Sequence, residues 1–166
     1  MIIESIPLQG LWKLLRTLPS FLLRWYFTPE KLAQLIYIDL RPRHDSAVVD
    51  IGQTATFSLW LQVINLSPFT VELDRASFRF WCGGSTLKTS ILNKKIIVPG
   101  EIVDLHLNEA IPEGLSNQIA KQIEGNRFAL DGNIEFNCKI RSFAKNIGHL
   151  DGINANVINA HQRANA

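Results

Sequence analysis

The pattern of apolar and polar residues changes once along the chain, near residue 35. In residues 8–28 apolar side chains recur with the 3.6-residue period of a helix, and from about residue 35 they alternate with the period of two that is typical of strands. The sequence therefore predicts an N-terminal amphipathic helix followed by a body made mainly of β-strands.

Residues 8–28 sort into two faces when they are placed on a helix at about 100° per residue. A narrow polar stripe lies within about 60° of Lys13 and contains Gln9, Lys13, Arg16, Thr17, Ser20, Arg24 and Thr28. The rest of the helix is apolar and contains Leu11, Trp12, Leu14, Leu15, Leu18, Phe21, Leu22, Leu23, Trp25 and Tyr26. Only Phe27 falls on the polar side, so the pattern predicts an amphipathic helix with a basic stripe.

One proline predicts a break within this segment, and another predicts a helix start just after it. Pro19 removes a backbone hydrogen bond and should kink or break the helix near residues 15–18. The stretch 28–34 has the pattern of a second helix start, with Thr28 as N-cap, Pro29 as the first helical residue and Glu30 in the first turn.

Three environments could accommodate the N-terminal helix. A basic residue at the centre of a bilayer costs about 2.5–3.5 kcal/mol, whereas each Leu or Phe recovers only about 0.3–0.6 kcal/mol. An in-plane helix avoids that cost, because its basic stripe faces water and headgroups. We therefore favour membrane binding in the plane of the bilayer over a spanning or partner-packed helix and over packing on the body. The predicted membrane-binding residues are Leu11, Trp12, Lys13, Leu14, Leu15, Arg16, Leu18, Phe21, Leu22, Arg24, Trp25 and Tyr26.

The body is expected to contain six or seven short strands with turns at regular spacing, which favours an antiparallel β-sandwich. Residues 112–126 break the alternation, because Leu115, Ile119 and Ile123 recur at a spacing of four and predict one short inserted helix. The residues expected to face the core include Ala55, Phe57, Leu59, Leu61, Val63, Phe69, Val71, Leu73, Ala76, Phe78, Phe80, Cys82, Val103, Leu105, Leu107, Ala129, Ile134, Phe136, Cys138 and Ile140.

The pattern divides the chain into three regions. Residues 1–31 form the membrane-associating helical segment, 32–145 form the sandwich, and 146–166 form an Asn/Ala-rich tail. We expect the tail to be loosely ordered, or ordered only by a partner.

Charge is unevenly distributed along the 166 residues. The net charge is +2, which is too small for a nucleic-acid-binding surface and is not concentrated in a Lys/Arg block. Residues 1–31 carry four basic and two acidic side chains, whereas the remaining residues carry 13 of each. The whole positive excess therefore lies on the apolar N-terminal segment.

The sequence contains little recognisable catalytic or metal-binding chemistry. Cys82 and Cys138 lie in predicted strands, where they could be buried thiols, a disulfide or a redox pair, and burial is favoured. None of the four histidines has a second ligand at metal-binding spacing, and His106 is expected to be solvent-facing or hydrogen-bonded. Arg41 and Arg43 could contact phosphate headgroups or belong to a solvated loop. We expect no enzyme activity, cofactor or metal.

Three stretches of the body carry a family resemblance. "LQVINLSPFTVELDRASFRF" ends one strand in Asn-x-x-Pro-Phe and starts the next, "IIVPGEIVDLHL" forms a turn and an outward-facing strand, and "FALDGNIEF" contains Gly132. These stretches resemble the LEA-2 group, the late-embryogenesis-abundant proteins that include the water stress and hypersensitive response domain. The resemblance covers about residues 35–143. It implies a mostly β, seven-stranded immunoglobulin- or fibronectin III-like sandwich with a helical insertion, and roles in stress protection or lipid binding.

These observations predict a non-enzymatic β-sandwich that attaches to a membrane and serves as an interaction or lipid-contacting module. The predicted partners are membrane lipids with anionic headgroups, and no nucleic acid is expected. The alternative is an accessory subunit of a larger membrane complex, with the N-terminal helix packed on integral membrane subunits. The segment lacks the basic start and cleavage site of a secretory signal, and we favour peripheral attachment at the cytoplasmic face.

Overall fold

The structure is a computed structural model that describes residues 15, 17–42, 46–82, 84–122 and 128–161. Within these residues three helices and ten strands form. The strands build two five-stranded sheets, and the sheets pack face to face. The predicted mostly β sandwich with a short inserted helix is confirmed, but it has ten strands where six or seven were expected.

The first sheet is organised around one long strand, β3. β1 and β2 pair with one side of β3, and β7 pairs with the other side. β10 pairs with β2. The five strands are β1 (Ile36–Leu40), β2 (Ala47–Asp50), β3 (Thr56–Asn65), β7 (Ile102–Ala110) and β10 (Ala155–Ile158).

The second sheet is organised in the same way around β4. β5 and β6 share one side of β4, β8 pairs with the other side, and β9 pairs with β8. The five strands are β4 (Val71–Cys82), β5 (Ser85–Ile91), β6 (Lys95–Ile97), β8 (Phe128–Cys138) and β9 (Ser142–Ile153).

The core lies between the inner faces of the two sheets, where the predicted alternation places apolar side chains. Phe57 of β3 stacks on Phe80 of β4 across the interface, with 5.3 Å between ring centroids. Of the residues expected in the core, all are buried except Cys138, which is partly buried. Alternation predicts these positions well because successive side chains in a strand point to opposite faces.

The C-terminal region differs from the expectation. Residues 146–166 were predicted to be loosely ordered, but β9 continues to Ile153 and β10 runs from Ala155 to Ile158. Strand β10 pairs with β2, and this pair is parallel, whereas the other strand pairs are antiparallel. The prediction was wrong because Asn and Ala weaken strand propensity, while pairing with a strand distant in sequence overrides it.

All three described helices pack on the sandwich, beginning with α1 (Ser20–Tyr26). Helix α2 (Pro29–Gln34) begins as predicted, since the Thr28 hydroxyl accepts a hydrogen bond from the Lys31 backbone N–H at 3.4 Å. Leu32 on α2 is fully buried, and α2 packs against β9. Helix α3 (Glu113–Lys121) is the inserted helix, and its Ile119 is fully buried.

One end of the sandwich, which we call the helical pole, carries several chain reversals. β1 begins there opposite the end of β3, and β4 begins opposite the ends of β6 and β8. The β3–β4 turn (66–70), the β6–β7 turn (98–101) and the β8–β9 turn (139–141) therefore lie at this pole. Because α2 ends at Gln34 and β1 starts at Ile36, the N-terminal helices join the sandwich at the same pole.

Candidate functional site

The N-terminal segment is broken at Pro19, as the sequence predicted. Pro19 has an extended backbone (φ −54°, ψ 140°) and precedes helix α1 (Ser20–Tyr26). The Leu18 backbone N–H donates to the Leu15 carbonyl at 3.2 Å, so a turn ends just before the proline. The break lets α1 take its own direction relative to the residues before it.

One side of α1 docks on the sandwich. Leu23 is 7% exposed and Phe27, directly after the helix, is 5% exposed. The Phe27 ring meets the Phe69 ring edge to face, with 5.0 Å between centroids, and Phe69 belongs to the β3–β4 turn. These contacts attach α1 to the helical pole.

Two arginines clamp the same side of α1 to the β8–β9 turn. The Arg24 Nε–H donates to the Ile140 carbonyl at 2.9 Å, and an Arg141 guanidinium N–H donates to the Arg24 carbonyl at 2.5 Å. Hydrogen bonds with a charged donor are shorter and stronger than neutral ones. The reciprocal pair therefore restrains the rotation of α1 about its own axis.

The docked orientation leaves the apolar face of α1 in solvent. Taking Arg24 as the reference, Leu23 lies about 100° to one side, whereas Phe21 and Trp25 lie about 60° and 100° to the other. Trp25 is 80% exposed and Phe21 is 68% exposed, although both are large and apolar. Five such side chains make up what we call the helix patch: Leu18, Phe21, Leu22, Trp25 and Tyr26.

The predicted membrane-binding residues thus divide into three groups. The structure brings together the five residues of the helix patch, while Leu15 packs against the core and Arg24 holds the helix to the β8–β9 turn. The other predicted residues lie outside the described part of the chain: Leu11, Trp12, Lys13, Leu14 and Arg16.

Sequence reasoning missed which side of α1 docks. Phe27 was the one apolar residue on the polar side of the helical wheel, and that mismatch was the available signal for docking. The contribution of Arg141 had no local signal, because it is 117 residues from Arg24 in sequence.

A cation lies beside the helix patch. The Lys31 ammonium lies 4.1 Å from the centroid of the Tyr26 ring, a cation–π arrangement. Lys31 and Arg24 are both exposed, so positive charge borders the apolar surface. A surface of this kind, apolar with a basic margin, suits the boundary between headgroups and acyl chains.

The remaining candidate residues take structural positions. Arg41 forms an ion pair with Asp104 at 3.6 Å, and its guanidinium lies 5.2 Å from the Trp60 ring centroid. The His106 ring stacks on the Trp60 ring, with 4.5 Å between centroids. These four side chains form an outer-face cluster on the first sheet, so Arg41 has a partner within the sandwich, whereas Arg43 lies outside the described residues.

The two cysteines are free thiols, and the alternative of a disulfide is not realised. Cys82 is fully buried, and burial raises the pKa of its thiol to about 12. A thiol with such a pKa stays protonated near neutral pH and is a poor nucleophile.

Among the described residues, no group of three or more His, Cys, Asp or Glu side chains is placed to hold a metal ion. In the same part of the chain, no helix combines the length and apolarity needed to cross a bilayer.

The sequence matches no protein-family model, and no curated protein matches it. Several solved structures are similar in fold. The structural-genomics target SoR45 is 11% identical over 70% of this chain and 84% of that chain, with a TM-score of 0.49. An Arabidopsis thaliana protein is 12% identical over 72% of this chain and 78% of that chain, with a TM-score of 0.43.

A third similar structure is that of a "putative late embryogenesis abundant (LEA) protein". It is 10% identical over 87% of this chain and 84% of that chain, with a TM-score of 0.41. The solved structures to which this chain is similar thus include an LEA protein.

Proposed function

We propose that this protein is a non-enzymatic β-sandwich that attaches to the cytoplasmic face of a membrane through the helix patch and acts there as a lipid-contacting or interaction module. The observation that carries the proposal is the orientation of α1. The helix docks through Leu23, Phe27 and the arginine clamp, and it directs Phe21 and Trp25 away from the body.

The exposed apolar area of Trp25 and Phe21 is large enough to support membrane binding. An aromatic side chain buries about 150–250 Å² in full contact. At exposures of 80% and 68%, Trp25 and Phe21 present together about 300 Å² to water. At about 20 cal/mol per Å², the lower end of the usual range, complete immersion would contribute about 6 kcal/mol, and half immersion about 3 kcal/mol.

The test is sedimentation of the full-length protein with vesicles of phosphatidylcholine, with and without phosphatidylserine. Phe21→Ser combined with Trp25→Ser should lower partitioning about a hundredfold, since a loss of about 3 kcal/mol corresponds to two decades. The matched control is Leu92→Ser, which replaces a 73% exposed apolar residue near the β5–β6 edge, across the second sheet from β9. Binding by the double variant that equals the wild type would refute the proposal.

Point substitutions are preferable to removal of the N-terminal segment. Leu23 and Phe27 belong to the core, so deleting α1 would expose the helical pole and could change binding through unfolding. The alternative function, an accessory subunit whose helix packs on partner helices, gives a different result. It predicts that the wild type binds neither vesicle composition and is extracted from membranes in a stoichiometric assembly.

A further inference from the structure

A groove with polar walls, which we call the polar groove, lies on the outer face of the second sheet. It has a volume of about 710 Å³ and crosses β5, β4, β8 and β9. Two rows of side chains that pair across these strands line it. The first row is Ser90, Ser77, Asn133 and Asn146, and the second is Lys88, Arg79, Asp131 and His149. Alternation along each strand places both rows on the same face of the sheet.

Two paired glycines, Gly132 and Gly148, lie between the rows. A Cβ on Gly132 would lie 2.4 Å from Phe78 Cδ1, and Gly148 has a φ of +75°, which favours glycine. The register of β8 with β9 shifts between Gly132 and Asn133, and a bulge of this kind bends the strand that carries it. The bend accounts for a depression in the middle of this face.

The charges that line the polar groove cancel. Besides His149, it carries two basic side chains, Arg79 and Lys88, and two acidic ones, Asp131 and Glu109. Arg79 and Asp131 form a bidentate pair with N–O distances of 2.9 and 2.7 Å. Nucleic acids and anionic headgroups are attracted by an excess of Lys and Arg, so a groove without that excess favours an uncharged ligand.

Several lining side chains have donors and acceptors to spare. Among the described residues, none is a hydrogen-bond partner of the side chains of Ser77, Ser90, Asn133 or Lys88. Phe78 is the one large apolar residue among the described lining residues, and it is 2% exposed. An acyl chain or an apolar peptide would therefore find little to bury against, whereas a ligand rich in hydroxyl groups would find partners.

Other lining side chains are held in place before any ligand binds. Asn146 Oδ1 accepts from the Gly148 N–H at 2.7 Å, which fixes the plane of the amide. The His149 Nε2 lies 3.0 Å from an Asp151 carboxylate oxygen, and its ring meets the Trp81 ring edge to face at 5.0 Å. Groups that are already oriented lose less conformational entropy on binding.

We propose that the polar groove binds an uncharged oligosaccharide, which lies across the four strands. Sugar hydroxyls both donate and accept hydrogen bonds, and so do the Ser hydroxyls and Asn amides of the first row. Neighbouring strands are about 4.8 Å apart, so the four side chains of a row span about 14 Å, the length of about three linked sugar rings. The inference is independent of membrane attachment, because the described lining residues include none from the helix patch.

The experiment is calorimetric titration of the full-length protein with uncharged oligomers of glucose, mannose and xylose, from one to six units long. We expect saturable binding of at least one series, with an affinity that rises up to about three units, because that length fills a row of the groove. Ser77→Ala combined with Asn133→Ala should weaken binding about thirtyfold, since each lost neutral hydrogen bond weakens it about fivefold.

The matched control is Asn137→Ala combined with Ser142→Ala. These residues form another Asn–Ser pair on β8 and β9, with 2.6 Å between Ser142 Oγ and Asn137 Oδ1, and neither lines the polar groove. The control should bind the sugars like the wild type. A thermal melt of each variant identifies unfolding, and the single substitution Ser90→Ala repeats the test if the groove variant melts early.

Three results would overturn the inference. They are the absence of saturable heat with all three series, equal affinity of the wild type and the groove variant, and tighter binding of hexagalacturonate, which carries a carboxylate on each sugar, than of the uncharged hexamers. The variant with Phe21→Ser and Trp25→Ser should bind the sugars like the wild type. Failure of the groove and failure of the proposed membrane attachment can therefore be recognised separately.

Discussion

Asn65 is the residue whose replacement should most clearly reveal how the helical pole is held together. It is fully buried, and its side-chain amide donates to the Phe69 carbonyl at 2.8 Å and to the Ile97 carbonyl at 2.9 Å. Its Oδ1 accepts from the Ser67 N–H at 3.0 Å and from the Ser67 hydroxyl at 2.6 Å. One side chain thus joins the β3–β4 turn to the end of β6.

The cost of Asn65→Ala follows from which hydrogen-bonding groups keep a partner in the variant. The Ser67 hydroxyl already lies 3.0 Å from the Phe69 carbonyl, so it can turn and replace one lost donor. The Ile97 carbonyl loses the Asn65 donor, and the Ser67 N–H loses its acceptor. Each buried polar group left without a partner costs about 1–3 kcal/mol, so the free energy of unfolding should fall by about 4 kcal/mol.

Ser67→Ala is the matched control in the same network. Without the hydroxyl, Asn65 still serves both carbonyls and still accepts from residue 67, and only the Phe69 N–H loses a partner, at 3.3 Å. That bond is long, so the expected loss is about 1 kcal/mol. The two variants should therefore differ by about 3 kcal/mol, although they remove neighbouring polar groups.

Urea unfolding followed by tryptophan fluorescence measures the difference. With a slope of about 2 kcal/mol per M for a domain of this size, Asn65→Ala should lower the midpoint by about 2 M and Ser67→Ala by about 0.5 M. Equal midpoints for the two variants would refute the reasoning, because they would mean that the amide does not hold the pole together.

Two further changes should alter stability measurably. Gly132→Ala should lose about 1–3 kcal/mol, because the new Cβ would lie 2.4 Å from Phe78 Cδ1 and 2.8 Å from the Ser77 carbonyl oxygen. Gly114→Ala, where nothing lies within 4 Å, should gain about 0.5–1 kcal/mol in the same urea assay, and a loss there equal to that at Gly132 would contradict the steric argument. The raised pKa of Cys82 means that the unfolded chain releases the thiol proton first, so stability should fall by about 1.4 kcal/mol per pH unit from about pH 9 toward 12. Cys82→Ala should remove that slope, and a slope unchanged in the variant would assign it to other groups.

Several parts of the fold could be predicted because they depend on neighbours in sequence. The break at Pro19 and the N-cap at Thr28 follow from the chemistry of one or two residues. The inward positions of β3 follow from strict alternation, and those of β4 follow from alternation on either side of a bulge between Leu73 and Arg75. The C-terminal strand β10 could not be predicted in this way, because its order comes from pairing with β2, more than 100 residues earlier.

The candidate site was only partly predictable for the same reason. The helical wheel identified the residues of the helix patch, including Phe21 and Trp25, as an apolar face. It could not predict that Leu23 and Leu15 would pack into the core, or that Arg24 would donate a hydrogen bond to a backbone carbonyl.

The sequence by itself determined the period of each segment and hence which residues form helices, strands and an apolar core, because those properties depend on side-chain direction along a few residues of backbone. The tertiary structure alone decided which side of α1 meets the sandwich and which turns share a pole. Those outcomes depend on contacts such as Arg24 with Ile140 and Asn65 with Ile97, whose partners are separated by 116 and 32 residues. No local pattern records such pairs, and the Arg24 contact helps to direct the helix patch outward from the sandwich.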